Sequence, residues 1–475
     1  MKEVKSKKKN TKKNKQVTRI AENISKDIFK EYDIRGVAFK EITPALSELV
    51  GKAFGTYALK KGFNKITVGK DNRLSTPTLS KALIKGLTST GCHVHDLGVL
   101  PTPAFYFSLR LEKTAGVMVT ASHNPADNNG FKLCVGTSSL YGRKVQEIRK
   151  IIEKGVFKKG KGSVTRKNIL KKYVQKIVST EKTSKKIKIV VDAGNGVGGI
   201  AAEILEKIGC EVVKLYCDSD GRYPHHHPDP SVNENMKDLS RKVRETRSDL
   251  GVAFDVDADR MGCVDEKGRI LRGDELLAIF AEDVLKEKKG YVVFDVKTSR
   301  MVKEVVEKNK GKPFMWKTGH SLTEEKSREL KAVIAGEVSG HYYFYDRYYG
   351  FDDGIYAACR IAEIISEKSE KLSKLVEKLP KYHSTPELRI KCDENEKFNI
   401  VKKIVSDFKK KYKVVTLDGG RVEFKNGWGL IRASNTQPMI VVRVEGKTEK
   451  EKQRIIKIFN KKLVKWGVKI PVNAT

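Results

Sequence analysis

Three carboxylates, Asp255, Asp257 and Asp259, stand at alternate positions directly after the apolar run Leu250 to Phe254, with Arg260 following. In extended backbone, alternate side chains point to one side. The spacing therefore gathers three anions at a strand end, where they demand a counter-cation, and hard oxygen donors suit Mg²⁺ or Ca²⁺. A solvated acidic turn is the other reading. Glu266 falls where an EF-hand count wants its last carboxylate, but Arg260 occupies the position that needs Gly and the flanks look like strands, so an EF-hand is set aside.

Three further loops carry chemistry-bearing groups. Thr120-Ala-Ser122-His123-Asn124-Pro125 follows the apolar run Ala115 to Val119, which puts Ser122 on a loop at a strand end, where catalytic groups commonly sit. Ser beside His suggests a nucleophile, yet sequence neighbours on a turn rarely face each other and G-x-S-x-G is absent, which argues against a hydrolase triad. A plain Ser-His-Asn-Pro turn stays open. Gly336-Glu337-Val-Ser339-Gly340-His341 offers a carboxylate, a hydroxyl and an imidazole that suit sugar hydroxyls, against a plain turn. Arg432-Ala-Ser434-Asn435-Thr436-Gln437-Pro438 offers a guanidinium, hydroxyls and a carboxamide that can wrap one phosphate, against an ordinary polar hairpin.

Two motifs are ambiguous. Gly194-Asn-Gly196-Val-Gly-Gly199 follows a predicted strand, opens a helix and has Asp218 after the next strand, the pattern of a dinucleotide loop. Any tight strand-to-helix turn also favours glycines. Pro224-His-His-His-Pro228 could bind metal, but its prolines read better as a linker turn.

The elements that must position these loops follow from periodicity. Lys65 to Arg73, Lys186 to Gly194 and Gly290 to Lys297 each run from apolar β-rich sequence into a polar loop, and helix-period segments follow at Leu79 to Thr88, Ile200 to Ile208 and Met301 to Asn309. That predicts an α/β unit used three times, with mixed or parallel sheets. After Pro380 the pattern changes to strands at Val414 to Leu417, Arg421 to Phe424, Gly429 to Ala433 and Ile440 to Glu445, then an amphipathic helix from Thr448 to about Val464, an α+β module. Linkers are expected at Lys158 to Lys167, Gly268 to Gly273 and Lys381 to Glu387.

Composition sets outer limits. The 475 residues are 39% hydrophobic and 32% charged, which excludes wholesale disorder. No apolar run approaches the ~20 residues of a bilayer span, so no membrane-spanning segment is expected. The net charge of +36 would attract nucleic acid, anionic lipid or phosphorylated metabolites alike. Met1 to Arg19, with eight Lys, one Arg and one Glu, reads as a solvated arm capable at most of weak nucleic-acid or membrane contact, without the features of a secretory signal or transit peptide. Seven scattered cysteines without C-x-x-C suit a reducing cytoplasm.

Taken together, the Ser122, Asp255–Arg260, Glu337–His341 and Arg432–Thr436 loops occur in the order and spacing of the α-D-phosphohexomutase superfamily, and the chain most resembles its bacterial phosphomannomutase/phosphoglucomutase branch over about Phe29 to Glu445. Glu31-Tyr32-Asp-Ile-Arg35-Gly36, Asn129-Gly-Phe-Lys132, Lys317-Thr-Gly-His320 and Tyr223 to Pro230 also look like family segments. The chain departs from the pattern at Val256 and Ala258, where Gly is usual, and at Gln437, where a small hydroxyl residue is common; the basic tail has no counterpart.

The resemblance implies four domains around a central cleft. A basic tail (1–20) would precede α/β domain I with the phosphoserine loop (21–165), domain II with the metal loop (166–270), domain III with the sugar loop (271–382) and a smaller α+β domain IV with the phosphate loop (383–475). It implies interconversion of hexose 1-phosphate and hexose 6-phosphate, of mannose, glucose or both. Ser122 would carry the phosphoryl group, and Mg²⁺ would lie on Asp255, Asp257, Asp259 and Ser122. Arg35, Arg260 and Lys132 would supply charge, and Lys132 or His341 would move the proton. Tyr32, His320, Glu337, Ser339, His341, Arg432, Ser434, Asn435 and Thr436 would bind substrate. Glucose 1,6-bisphosphate or mannose 1,6-bisphosphate would serve as activator. Phosphoglucosamine mutase ranks below this reading; a dinucleotide-dependent oxidoreductase and a nucleic-acid-binding protein are more remote.

Overall fold

The computed structural model describes residues 24–368, 370–434 and 438–468. The basic tail and the loop residues Asn435 and Thr436 lie outside them. Two compact units form, Met1–Ile270 with Asp353–Ser369, and Leu271–Asp352 with Glu370–Thr475.

The first unit contains two sheets. In the first sheet, strands His93–Val99, Lys65–Lys70 and Ala115–Val119 run parallel in that spatial order, and Asn128–Val135 pairs antiparallel with Ala115–Val119. Ile34–Val37 extends it on the far side of Asn128–Val135. In the second sheet, Glu211–Leu215, Lys188–Asp192 and Leu250–Phe254 are parallel and Met261–Asp265 is antiparallel. The second unit repeats the arrangement with Lys312–Trp316, Tyr291–Asp295, Ile334–Gly336 and the antiparallel Tyr342–Phe344. One four-strand pattern thus occurs three times, as the periodicity predicts. Its inner strands are buried along most or all of their length, as in Ala115–Val119 and Leu250–Phe254, because helices cover both faces of such sheets.

The last sheet is wholly antiparallel along Met439–Gly446, Gly427–Ala433, Gly420–Phe424 and Lys413–Val415. Helices Lys397–Lys409 and Glu449–Leu463 cover it through Ile404, Phe408, Ile455 and Phe459. This is the expected α+β module.

All three expected linkers contain strands. Val164–Arg166 pairs parallel with His93–Val99, Ile270–Leu271 lies beside Met261–Asp265, and His383–Ser384 pairs with Met439–Gly446. An open sheet edge offers backbone hydrogen bonds that need no apolar side chain, and the Val164–Arg166 side chains are all exposed. Lys/Gly-rich composition therefore concealed that strand. Within 271–382, helix Gly354–Lys368 packs in the first unit.

The repeat also sets where chemistry falls. In each sheet the turn between the third parallel strand and its antiparallel partner carries a loop singled out by residue type: 120–127, 255–260 and 337–341. The end of the first strand of each repeat carries a fully buried aspartate, Asp71 just after the strand and Asp192 and Asp295 as its last residue, whose carboxylate accepts from a backbone amide two residues on, that of Arg73, Gly194 and Lys297 respectively.

Candidate active site

In the first unit the Ser122 loop and the aspartate loop meet. Ser122 Oγ donates to Asp255 Oδ2 at 2.7 Å. Both loops hold a non-glycine residue in the left-handed region, Ser122 at φ 49° and Ala258 at φ 58°. Each such residue costs roughly 1–2 kcal/mol, strain that turns each chain sharply at its strand end. The usual Gly at position 258 would carry no such cost, so this chain tolerates strain where the family pattern avoids it.

Asp255, Asp257 and Asp259 are fully buried, and their ligand oxygens lie within 4.8 Å of one another. Lys132 Nζ bonds Asp257 Oδ2 at 2.9 Å and also Asp259 Oδ2. The Thr102 hydroxyl donates to Asp257 Oδ2 at 2.7 Å. Asp257 Oδ1 is buried with no hydrogen-bond partner among the described residues. Burial first, then the like charges of Asp259 and Asp257, push the Asp255 carboxyl well above the usual carboxylate range, against the opposing pull of Arg260. A hard oxygen donor set that is compact, buried and under-neutralised fits a divalent cation such as Mg²⁺.

Arg260 Nε lies 4.0 Å from Asp255. Arg35 pairs with Asp33 at 2.6 Å and donates from Nη1 to the Ala121 carbonyl at 3.0 Å. Tyr32 stands half-buried on the segment leading to Arg35. His123 Nδ1 lies 3.2 Å from Ser122 Oγ, so these neighbours do meet, contrary to the expectation for a turn, because the left-handed backbone at Ser122 folds them together. This is not a hydrolase triad, since Ser122 Oγ gives its proton to Asp255.

The glycine loop is not a dinucleotide cradle. The amides of Gly194, Asn195, Gly196 and Val197 already donate to Asp192 Oδ1, Tyr216 O, Ala193 O and Val256 O. A Cβ at Gly196 would lie 2.7 Å from the Val256 carbonyl, and one at Gly194 would lie 2.7 Å from Pro228. The glycines let this turn press against the aspartate loop and the histidine loop. Asp218 contributes its backbone carbonyl to Asn195 Nδ2 at 2.9 Å.

The Pro-His-His-His-Pro segment is more than a linker turn. His225 Nδ1 meets Asn195 Oδ1 at 2.8 Å, His226 Nε2 meets Asp192 Oδ2 at 3.0 Å, and His227 Nε2 meets the His123 carbonyl at 2.6 Å. Burial opposes charge on His226, but the bond to Asp192 and its charge outweigh that and raise the imidazole above its ordinary value of 6.5.

In the second unit Glu337 and His341 are buried, and the Glu337 amide donates to the His341 carbonyl at 2.9 Å. His341 Nδ1 lies 2.9 Å from Asp352, and its ring stacks with that of His320 at 5.8 Å. Tyr343 Oη reaches both Glu337 Oε1 and the His320 carbonyl at 3.3 Å. Burial raises the Glu337 carboxyl, with His341 acting against it. Ser339 is half-buried on the same turn. Arg432, on strand Gly427–Ala433, and Ser434, directly after it, are buried, with Arg432 Nε on Asp418 at 2.9 Å. Sequence reading missed the roles of Thr102 and of two residues that hold the Ser122 loop, Arg73 and His227. The histidine run marked His227 but read as a linker turn, and Arg73 was marked only by its position in a loop after a strand.

The chain matches the family descriptions Phosphoglucomutase/phosphomannomutase, alpha/beta/alpha domain I over residues 26–159, domain II over 171–268 and domain III over 272–382, and the C-terminal domain of the same family over 387–462. A phosphomannomutase/phosphoglucomutase of Pseudomonas aeruginosa is 44% identical over 456 residues, 95% of this chain and 98% of that protein. A phosphoglucomutase of Neisseria gonorrhoeae is 42% identical over 441 residues, 91% and 96% of the two chains. The crystal structure of a phosphoglucomutase/phosphomannomutase family protein from Burkholderia thailandensis superimposes with a TM-score of 0.89 at 40% identity, covering 94% of this chain and all of that one.

Because the folded-state value of His226 is raised, its ion pair with Asp192 contributes fully below about pH 6.5 and is lost as pH rises through the raised value. His226→Gln should therefore lie about 2–4 °C below wild type in Tm at pH 6, and the gap should narrow toward pH 8. Thermal melts of both proteins across that range test this; a gap that widens with pH would contradict it.

Proposed function

Because the chain belongs to the phosphoglucomutase/phosphomannomutase family, we propose that it interconverts hexose 1-phosphate and hexose 6-phosphate, of mannose, glucose or both, through a phosphoserine at Ser122 and a hexose 1,6-bisphosphate. The observation that carries this reading is the contact of Ser122 Oγ with a compact, buried carboxylate triad. A hydroxyl nucleophile against a hard-oxygen cation site suits phosphoryl transfer, which needs charge neutralisation and alignment more than covalent assistance. Phosphoglucosamine mutase is not favoured by the relatives' names.

Asp255, Asp257 and Asp259, with Ser122, would hold Mg²⁺, which supplies positive charge against the phosphoryl oxygens. The protein's own groups do the rest. Arg35 and Arg260 add cationic charge beside the loop, and Lys132 neutralises two of the carboxylates. In the first half-reaction the Oγ–P bond of Ser122 breaks as a sugar hydroxyl oxygen bonds to phosphorus and its proton passes to a base; in the second the other sugar oxygen–phosphorus bond breaks as Ser122 Oγ bonds to phosphorus, and the proton returns to the sugar oxygen. Lys132 or His341 would be that base: Lys132 Nζ bonds two carboxylates, and His341 Nδ1 lies 2.9 Å from Asp352.

Glu337, Ser339 and His320 suit the sugar hydroxyls. Tyr32, Arg432, Ser434, Asn435 and Thr436 suit the substrate phosphate that is not being transferred. Glucose 1,6-bisphosphate or mannose 1,6-bisphosphate would recharge Ser122. The expected domain limits 21–165, 166–270, 271–382 and 383–475 each hold one of the four loops. The scattered cysteines support a cytoplasmic setting.

Ser122→Ala should lower turnover by orders of magnitude with Tm nearly unchanged, because a loop nucleophile is removed without opening a core cavity. Near-wild-type turnover, measured in a coupled assay with bisphosphate present, would refute the phosphoserine role.

Mg²⁺ titrated into EDTA-treated protein should restore activity and raise Tm, and Asp257→Asn should abolish both effects. Full activity after rigorous metal removal would overturn the cation site.

Arg432→Ala should reduce kcat/KM by about 2–4 kcal/mol in both directions alike, because the distal grip must accept either end of the bisphosphate. Arg432→Lys should recover only part, since one ammonium does not reproduce the planar fork. A loss confined to one direction would remove the assignment.

A further inference from the structure

We propose that Arg73 and His227 are positioning residues that hold the Ser122 loop by its carbonyl oxygens and keep Oγ aimed at the aspartate loop through the whole cycle. This rests on the reading that Ser122 carries the phosphoryl group.

Arg73 is fully buried, and all five of its guanidinium N–H groups have acceptors. Nη2 donates to the carbonyls of Ser122 at 2.5 Å and Asn124 at 2.7 Å. Nη1 donates to those of Pro125 at 2.5 Å and Asn128 at 3.1 Å. Nε donates to Asp71 Oδ2 at 3.2 Å. Asp71 is itself held by the Thr76 hydroxyl at 2.7 Å. The carbonyl that Arg73 leaves out between Ser122 and Asn124, that of His123, is taken by His227 Nε2 at 2.6 Å. A carbonyl only accepts, so Nε2 carries its proton.

His227 reaches the loop from the second sheet's histidine segment, which is anchored by His225 on Asn195 and His226 on Asp192. Tyr223 of the same segment donates to Asn72 at 3.0 Å and stacks its ring against the Arg73 guanidinium at 5.9 Å. Asn72 in turn donates to the Asn195 carbonyl at 2.7 Å. The two positioning residues therefore belong to one network that ties the first sheet's loop to the second sheet's glycine turn.

The chemistry gives this network its purpose. A phosphoserine adds about −1.5 to −2 of charge at neutral pH. The Ser122 Oγ–H bond to Asp255 exists only while the hydroxyl is free, so it disappears each time the residue is phosphorylated. The bonds to the carbonyls of Ser122, His123, Asn124, Pro125 and Asn128 involve no reacting atom and persist in both states. They are what keeps a loop with a strained φ of 49° from relaxing when its charge changes. A fixed fork of five donors suits several carbonyls on one turn, which an ammonium does not match.

The test uses the full-length chain with Mg²⁺ and glucose 1,6-bisphosphate, and compares His227→Phe, which lacks a donor, with His227→Gln, which keeps one, and with Arg73→Lys. For each, kcat and KM on glucose 1-phosphate are measured beside Tm and the Ser122-phosphorylated fraction by intact mass. Positioning predicts that His227→Phe loses about 10- to 100-fold in kcat, the scale on which small misplacement acts, with KM within about twofold and Tm within a few degrees. It further predicts that His227→Gln recovers most of the loss. Arg73→Lys, where it folds, should lose more. Wild-type kcat in His227→Phe, or equal losses in the Phe and Gln variants, would overturn the proposal whether or not Arg73→Lys folds. If wild-type Ser122 is phosphorylated while His227→Phe keeps full kcat, the positioning role fails and the phosphoserine reading stands; a wild type that never carries phosphate on Ser122 removes both.

Discussion

Three carboxylates crowded into a buried turn are the constraint around which the first unit is organised. Like charges within 4.8 Å of one another in low dielectric repel strongly, so the turn persists only where the surrounding fold supplies compensation. That compensation is visible as Lys132 across Asp257 and Asp259, the Thr102 hydroxyl on Asp257, and the Ser122 hydroxyl and Arg260 amide on Asp255. Lys132, Thr102 and Ser122 come from other stretches of chain, and the Arg260 amide from the turn itself. The charge left over is the chemical resource, because it is what a divalent cation and a phosphoryl group would complete.

A single topological pattern makes this assembly possible. Three sheets share the order of parallel strands followed by one antiparallel partner, and in each the last turn carries a loop of distinct character: a serine hydroxyl beside an imidazole, a set of three carboxylates, or a carboxylate, a hydroxyl and an imidazole. The end of the first strand carries a buried aspartate in every case, and around it the repeats diverge. Asp71 fixes Arg73, Asp192 recruits His226 across the chain, and Asp295 lies 3.7 Å from Lys297. Repetition sets where a loop falls, and side-chain substitution within the loop sets what it does.

The structure also separates glycines that serve backbone approach from glycines that serve a ligand. The loop at Gly194 to Gly199 has the spacing of a phosphate cradle, yet its first amides are hydrogen-bonded within the protein and its bare Cα positions face Pro228 and Val256. Close packing and pyrophosphate binding make the same demand for the absence of Cβ, so one spacing serves both. The partners decide between them.

Much of the candidate site was legible in the sequence because the chemistry proposed for it resides in side chains at short spacing. Asp255, Asp257 and Asp259 declare themselves within one turn, and the loops around Ser122, Glu337 and Arg432 carry unusual densities of functional groups after apolar runs. The threefold repeat was legible too, since buried parallel strands leave apolar runs that composition cannot hide. What the sequence could not specify were interactions whose partner is backbone. Arg73 and His227 act on carbonyl oxygens, which every residue possesses and no sequence pattern marks, and the strand Val164–Arg166 pairs through backbone alone. Those positions were decided only when the chain folded, because a hydrogen bond to a carbonyl 49 or more residues away in sequence depends on where two loops meet in space and not on which side chains they carry.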